Sequence, residues 1–313
     1  MPTLAEFYRN FNRQKNFDGV FRFDEPMAAH TTFKTGGPAD VWVRPEGGAF
    51  PEYSGELILS ARKEGIPVFI LGGGANIVVS ENGIRGIVLD TGGYRGIRRE
   101  PGDIIAVEAG AAVDDAVEFA ASSGLSGLEF LAAMPGSTGG ALWMNARCYE
   151  KSVSDVLAET EILDLSGPVP IRTRVPRREA EFGYKKSPFQ SLDALILGGR
   201  FALKKGERSK ITGEMETRRL DREAKGHFRF PSAGSVFKNN RDFGKPAGKI
   251  IDELGLRGLS VGDAQVAPWH GNIIINLGNA GGSDIKALAE LVRDRVRAAA
   301  GLELEYEVLF AGF

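Results

Sequence analysis

Two glycine-rich segments have the residue types and spacing to bind a ligand through the polypeptide backbone. The first runs Gly72, Gly73, Gly74, Ala75, Asn76, Ile77, and the second runs Pro135, Gly136, Ser137, Thr138, Gly139, Gly140. Successive backbone N–H groups in a glycine turn can form a concave anion site that no side chain obstructs. Each segment alone could be a tight turn, but two of them favour a large ligand that bears phosphate.

The residues that follow the first segment argue against the most familiar dinucleotide-binding fold. The fingerprint G-x-G-x-x-G fails because Ile77 stands where the third glycine belongs. The β-branched runs 77–79 and 87–89, with Asn82 and Gly83 between them, predict strand–turn–strand where that fold needs a helix. The sequence therefore predicts a cofactor loop of another type, or a tight turn.

A third segment, residues 231–239, places Ser235 between glycine and apolar residues and ends on Lys238 and Asn239. The simplest structural interpretation is a turn that enters a strand, with the serine hydrogen-bonded locally. No histidine is adjacent in sequence and the pattern G-x-S-x-G is absent, so a hydrolase nucleophile is not indicated.

Composition excludes several classes of function. Lys and Arg total 39 against 41 Asp and Glu, a net charge of −2, which gives no electrostatic reason to expect nucleic acid or an anionic membrane as partner. The single cysteine, Cys148, fits a reducing compartment. The three histidines are far apart, so no metal site is expected. With no secretion signal and no long apolar run, we expect a cytoplasmic protein without membrane insertion.

Hydrophobic periodicity predicts the elements that must position these segments. Helices are expected at 1–18, 54–65, 114–123, 247–254 and from an N-cap at Ser283 to Gly301; strands are expected at 68–71, 104–109, 157–164, 194–204, 273–275 and along 302–310. Residues 125–150 lack regular periodicity, and 172–186 are charged and expected to be exposed. Residues 205–230 suggest a solvated helix or linker, with a domain boundary near its start.

In chain order, a set of segments resembles the UDP-N-acetylenolpyruvoylglucosamine reductases, in the shorter branch of that family. The matching segments run from residue 30 to 310: HTTFKTGGPAD, LGGGAN, GLE through MPGSTGGALWMNA, FGYKKS, PSAGSVFKN, AGKII, QV through His270 to Asn276, and Glu307-Val308. PSAGSVFKN is the most specific of them. The resemblance implies an α+β fold: a two-subdomain FAD-binding module of the PCMH type, followed by a C-terminal α+β substrate-binding domain.

On this resemblance, the FAD-binding module covers 1–204, with subdomains of about 1–90 and 91–204. The substrate-binding domain covers 205–313, and its last strand could pack back on the first module. The family's reaction is the reduction of UDP-N-acetylglucosamine enolpyruvate to UDP-N-acetylmuramate, with NADPH as co-substrate and FAD, expected to be non-covalent, as cofactor. The product enters peptidoglycan synthesis, on which cell shape and division depend.

The resemblance also implies roles for individual residues. Ser235 matches the proton donor, Glu307 the acidic residue near the C-terminus, and Lys185 the position that binds the substrate carboxylate. Cofactor-binding positions are Gly72, Gly73, Gly74, Ala75, Asn76, Ile77, Pro135, Gly136, Ser137 and Gly140. Substrate-binding positions are Tyr184, Lys238, Asn239, His270, Tyr149 and Arg147.

Two positions depart from the family pattern. Lys185 stands where the family usually has arginine, so the charge is kept but the planar two-pronged donor is lost. Arg147 begins Arg-Cys-Tyr-Glu where the family commonly has Gly-Ala-Tyr-Gly. Two alternatives stay open: another flavin oxidoreductase on the same cofactor module, and a catalytically impaired nucleotide-binding relative, which the lysine substitution in particular keeps open. The sequence does not give the oligomeric state.

Overall fold

Helices and strands are mixed along the whole chain in the computed structural model, which describes residues 3–15 and 17–313. The helices are α1 (Leu4–Arg13), α2 (Phe50–Lys63), α3 (Val113–Ser122), α4 (Thr138–Trp143), α5 (Arg208–Ala224), α6 (Ala247–Glu253) and α7 (Gly282–Ala300). The strands are β1 (Gly19–Pro26), β2 (Pro38–Pro45), β3 (Val68–Leu71), β4 (Ile77–Val79), β5 (Ile84–Asp90), β6 (Ile97–Glu100), β7 (Ile104–Glu108), β8 (Leu125–Ser126), β9 (Arg147–Cys148), β10 (Lys151–Ser152), β11 (Leu157–Asp164), β12 (Ile171–Pro176), β13 (Ala194–Ala202), β14 (Lys204–Lys205), β15 (Ser260–Val261), β16 (Ala264–Val266), β17 (Ile274–Asn276) and β18 (Leu309–Ala311).

The chain divides into two compact units, each discontinuous in sequence. Unit 1 comprises 1–23, 40–73 and 86–220, and unit 2 comprises 24–39, 74–85 and 221–313. These units do not coincide with the ranges 1–204 and 205–313, because 24–39 and 74–85 group with the C-terminal residues and 205–220 groups with unit 1. Compactness does not say which ligand a segment binds, so the division into cofactor and substrate domains stays a prediction.

Unit 1 is built on a five-stranded antiparallel sheet in the order β12-β11-β13-β7-β6. Its central strand β13 is buried over most of its length, since α4 packs against it. A second sheet, β1-β2-β5-β3, contributes the parallel pair β3–β5. Apolar side chains from α2 and both sheets form one continuous core, among them Leu57, Ile87 and Leu195. This packing fixes the ends of β3 and α4, where the two glycine segments lie.

Unit 2 places α7 against the antiparallel sheet β15-β16-β17 and α6 against α7. Its core is apolar and includes Phe237, Ile251 and Leu288. The last strand, β18, pairs in parallel with β4, which directly follows the first glycine segment. The chain end is therefore attached to that segment by a backbone ladder.

Several sequence predictions need correction. Residues 1, 2 and 16 of the predicted helix 1–18 lie outside the described residues, and α1 itself ends at Arg13. Helix α7 has Gly281 as N-cap, not Ser283, because the Glu81 carboxylate accepts the backbone N–H and hydroxyl of Ser283. Of the predicted strand 302–310, only its last two residues are in a strand, β18. Burial nevertheless alternates as predicted, with Leu304 and Val308 buried.

The segment 125–150, predicted to be irregular, contains helix α4. Residues 205–230 were predicted to be either a solvated helix or a linker, and most of them form the helix α5. The charged stretch 172–186 is largely exposed, and its first part forms the edge strand β12.

Candidate functional site

The two glycine segments meet in unit 1. The backbone N–H of Gly73 donates to Ser137 Oγ at 3.2 Å. A Cβ atom on Gly73 would lie 2.7 Å from Gly136 Cα, so no larger residue fits without a backbone shift. Segments distant in sequence therefore form one surface of closely packed backbone.

Ser137 organises the second segment. Its Oγ also accepts from the N–H of Gly140 at 3.3 Å, which makes it the N-cap of α4. Within the described residues, the N–H of Gly136 has no protein acceptor. The segment therefore offers an available backbone donor beside the closely packed glycines.

Lys185 lies in a tight turn elsewhere in unit 1. Gly183 and Lys186 exchange two backbone hydrogen bonds, at 3.0 and 3.2 Å, across Tyr184 and Lys185. Lys185 has φ +55°, a left-handed conformation that glycine or asparagine usually adopts at this turn position and that costs lysine about 1–2 kcal/mol. Its Nζ lies 6.0 Å from the centre of the exposed Tyr184 ring. A strained, partly exposed cation is thus held on a short turn.

Arg147 and Tyr149 lie on the hairpin β9–β10. Arg147 forms an ion pair with Glu150 at 2.7 Å, and its side chain is 25% exposed. The Tyr149 ring lies under the Arg218 guanidinium, 4.2 Å from ring centre to Cζ. The structure therefore gives both residues local partners, and their role toward substrate stays a prediction.

The rest of the first glycine segment lies in unit 2. Gly74 has φ +61°, and its carbonyl accepts from the N–H of Thr32 at 3.1 Å. In the part of the chain that the structure describes, the backbone N–H groups of Gly74, Ala75 and Asn76 have no protein acceptor. Ile77 is buried and begins β4. Three consecutive unpaired N–H groups are the donor set that a phosphate group requires.

Ser235 and Glu307 are brought together by backbone hydrogen bonds. Ser235 forms an antiparallel bridge with Ile273, and the next carbonyl, of Val236, accepts from the Glu307 N–H at 2.8 Å. The Glu307 carbonyl in turn accepts from Asn76 Nδ2 at 3.0 Å. The backbones of the two predicted catalytic residues thus lie close together, and that of Glu307 lies beside the first glycine segment.

Lys238 and Asn239 follow on the same extended segment. The Lys238 N–H donates to the Glu305 carbonyl at 2.8 Å, and its Nζ lies 3.3 Å from the Glu305 carboxylate. Asn239 Oδ1 accepts from the N–H of Ala247 at 2.9 Å, at the start of α6. Asn239 is therefore positioned partly by capping a helix.

His270 is partly buried in unit 2. Its Nδ1 accepts from the N–H of Asn272 at 3.1 Å, so Nε2 carries the proton of the neutral ring. Burial, with the charges of Arg257 and Lys225, lowers the pKa of His270. The His227 ring is 6.3 Å away, and burial and nearby cations lower its pKa to about 4. Both rings are therefore neutral at physiological pH.

One residue that supports this site was missed by sequence reasoning. The buried amide of Asn272 accepts from the N–H of Phe237 at 2.9 Å and donates to its carbonyl at 2.8 Å. The side chain thus makes the pair of bonds to Phe237 that a neighbouring strand would make through its backbone, and it holds the segment that contains Ser235. A polar residue directly before the buried run 273–275 was the only sequence signal.

Comparisons with known proteins match both halves of the chain. Residues 226–311 match the model of the C-terminal domain of UDP-N-acetylenolpyruvoylglucosamine reductase, and 55–169 match that of an FAD binding domain. The chain is 40% identical over 308 residues to UDP-N-acetylenolpyruvoylglucosamine reductase of Treponema denticola, which covers 94% of each chain. The protein of that name from Borreliella burgdorferi is 40% identical over 288 residues, 92% of this chain and 93% of that protein.

The chain belongs to the UDP-N-acetylenolpyruvoylglucosamine reductase family. The crystal structure of that enzyme from Thermus caldophilus has a TM-score of 0.76 and 30% identity, and the match covers 94% of this chain and 99% of that one. The predicted α+β fold with an FAD-binding module is confirmed, as is the prediction of an FAD-dependent oxidoreductase.

The residues present fit the flavin of this reductase family. In unit 2, the unpaired N–H groups of Gly74, Ala75 and Asn76 are suited to hydrogen-bond its pyrophosphate oxygens. No larger side chain than a methyl stands on Gly74 or Ala75 to obstruct that approach.

A search of the described residues finds no helix that combines the length and the hydrophobicity of a membrane span. It also finds no group of three or more His, Cys, Asp or Glu side chains that could hold a metal ion.

Proposed function

We propose that this chain reduces UDP-N-acetylglucosamine enolpyruvate to UDP-N-acetylmuramate with NADPH, in the cytoplasm, as a step of peptidoglycan precursor synthesis. Family membership supports the reaction class. The placement of Ser235 beside Glu307, through the 2.8 Å bond between Val236 and Glu307, is the observation that carries the assignment to these residues.

Bound FAD would supply a hydride equivalent that originates from NADPH. Hydride addition to the terminal alkene carbon of the substrate places negative charge on the adjacent carbon and its carboxylate. Ser235 donates the proton to that adjacent carbon. Glu307, whose backbone lies close to that of Ser235, is the acidic residue that we assign to this end of the substrate.

Lys185 binds the substrate carboxylate in this proposal. An ammonium group can offset the developing enolate charge without the fork geometry of arginine. The left-handed backbone at Lys185 supports a functional role, since strained residues of this kind concentrate at functional sites. Tyr184, Lys238, Asn239 and His270, with Tyr149 and Arg147, are the proposed contacts to the UDP-sugar.

The test is NADPH oxidation by the purified flavin-bound protein, with and without the enolpyruvyl UDP-sugar. We expect oxidation that depends strictly on this substrate and yields UDP-N-acetylmuramate by mass spectrometry. Substrate-independent oxidation with oxygen uptake would instead identify another flavin oxidoreductase. A flavin-bound protein with no turnover would indicate an impaired relative.

A further inference from the structure

The turn that carries Lys185 is fastened to one end of helix α4 by side-chain hydrogen bonds. Asn145 Nδ2 donates to the Gly183 carbonyl at 2.9 Å, and Ser187 Oγ donates to the Trp143 carbonyl at 2.7 Å. Gln190 Nε2 donates both to the Lys185 carbonyl at 3.0 Å and to the Trp143 carbonyl at 3.1 Å. The turn is thus attached at its first residue, at Lys185 and just beyond its end.

Asn145 has a second function in the same place. It follows the C-cap of α4 with φ +45°, where its N–H donates to Leu142 and the next N–H, of Ala146, donates to Ala141. This pair of bonds is the Schellman ending of a helix. The left-handed position in that motif is usually glycine and sometimes asparagine. Its Oδ1 also accepts from the Ser154 N–H at 3.1 Å, and the residue is only 3% exposed. Asn145 therefore both ends the helix and binds the turn.

The other end of α4 carries the second glycine segment. Ser137, the N-cap, accepts the N–H of Gly73, so the helix begins where the two glycine segments meet. Six residues separate this cap from the C-terminal end, which corresponds to about 9 Å of helix. A short helix of this kind is a rigid spacer between the flavin-binding loops and the Lys185 turn.

We propose that Asn145, Ser187 and Gln190 form a polar clamp that positions Lys185 relative to the flavin-binding glycine segments, with α4 as the spacer. All three are positioning residues: they act on the substrate through Lys185. The clamp holds the lysine in its left-handed conformation and compensates the orphan carbonyl of Trp143 at the helix end. The inference rests on the proposed function, since the role of Lys185 toward the carboxylate is itself a proposal.

The decisive variant is Asn145→Gly in the full-length flavin-bound protein. Glycine keeps the left-handed helix ending without strain, so only the amide contacts are lost. We expect kcat/KM for the enolpyruvyl substrate to fall between about tenfold and a hundredfold, mainly through KM. Flavin content and the rate of flavin reduction by NADPH in the absence of substrate should stay at wild-type values.

Gln190→Ala is the second variant, because Gln190 is exposed and its removal should not prevent folding. We expect a smaller loss in the same direction. The matched control pair is Ser187→Ala against Ser191→Ala. The two serines lie four residues apart, and each hydroxyl donates to a backbone carbonyl. Ser187 donates to Trp143 of α4, whereas Ser191 donates to the local Pro188, so loss of the Ser191 hydroxyl leaves the clamp intact. Ser191→Ala should match wild type in every measurement.

A double-mutant cycle separates positioning from general destabilisation. If the clamp acts through Lys185, Asn145→Gly should have no further effect on kcat/KM in a Lys185→Ala background. Fully additive losses, or wild-type kinetics in Asn145→Gly with flavin retained, would overturn the proposal.

Hydrogen–deuterium exchange of residues 183–187 provides a readout that needs no turnover. Exchange in this turn should accelerate in Asn145→Gly and Gln190→Ala but not in Ser191→Ala. If the wild-type protein does not turn over, the proposed function fails while this exchange experiment still decides whether the clamp exists. Unchanged exchange in both clamp variants would refute the clamp.

Discussion

The segment that carries Ser235 and the turn that carries Lys185 are attached to their surroundings mainly by different kinds of hydrogen bond. Backbone groups of Ile273 and Val236 and the ladder of β18 with β4 hold Ser235 and Glu307, and the Asn272 amide adds two bonds to Phe237. Two backbone bonds close the Lys185 turn, but side-chain amides and a hydroxyl attach it to α4. A backbone ladder survives most side-chain changes, whereas a side-chain clamp depends on particular residues. We therefore expect geometry to be robust at the proton donor and sensitive at the carboxylate-binding turn.

The largest expected effect is at Ser235. Ser235→Ala removes the proposed proton donor but leaves the backbone bridge to Ile273, so kcat should fall by about a thousandfold with the fold intact. Flavin reduction by NADPH, followed by stopped-flow absorbance, should be unchanged. Ser232→Ala, in the same segment, is the control and should stay within about twofold of wild type. A Ser235→Ala protein that retains more than about a tenth of kcat would remove Ser235 from this role.

A smaller loss is expected at the turn. Lys185→Ala should lower kcat/KM by about tenfold to a hundredfold, the value of one hydrogen bond to a charged group. Lys186→Ala removes an exposed lysine next to it and should change kcat/KM little, which controls for net charge. Steady-state kinetics with varied enolpyruvyl substrate measures both. If the two variants behaved alike, the carboxylate role would belong to another residue.

The smallest expected effect is on stability, and it arises from His227, which lies in unit 2 with Ser235. His227 has a pKa of about 4 in the fold, below its ordinary value of 6.5, so the unfolded chain binds its proton more tightly. The free energy of unfolding of the protein should therefore fall as pH drops from about 6.5 to about 4, by about 1–2 kcal/mol from this group after solvent screening. Urea unfolding of wild type and His227→Gln at several pH values tests this. Equal pH slopes in the two proteins would contradict it.

The difference between local patterns and contacts made by distant side chains explains what the sequence could predict. The glycine segments, the strand after Gly74 and the segment with Ser235 depend on local residue types, and their positions were predicted from the residues or from the family resemblance. Helix α4 was not, because Gly139 and Gly140 disfavour helix, while the burial of Ala141 and Leu142 that stabilises it depends on tertiary packing. Tertiary packing overrides local propensity there.

Contacts between residues distant in sequence were also beyond prediction. Glu81 caps α7 from a position far along the chain, so Ser283 is displaced from the N-cap. The amide of Asn145 reaches Gly183, and that of Asn272 replaces a strand beside Phe237. The hydrophobic periodicity of a sequence carries no information about such long-range hydrogen-bonded pairs. The roles of Ser235, Glu307 and Lys185 stay predictions until the variants above are measured.

Helix α4 is anchored at both ends, by Ser137 at the glycine segments and by Asn145 at the Lys185 turn. Each residue advances an α-helix by about 1.5 Å and rotates it by about 100°. One inserted or deleted residue between these anchors would therefore turn the Asn145 amide away from Gly183, even if every side chain were otherwise retained. The number of residues from 137 to 145 is therefore constrained by this angular relation.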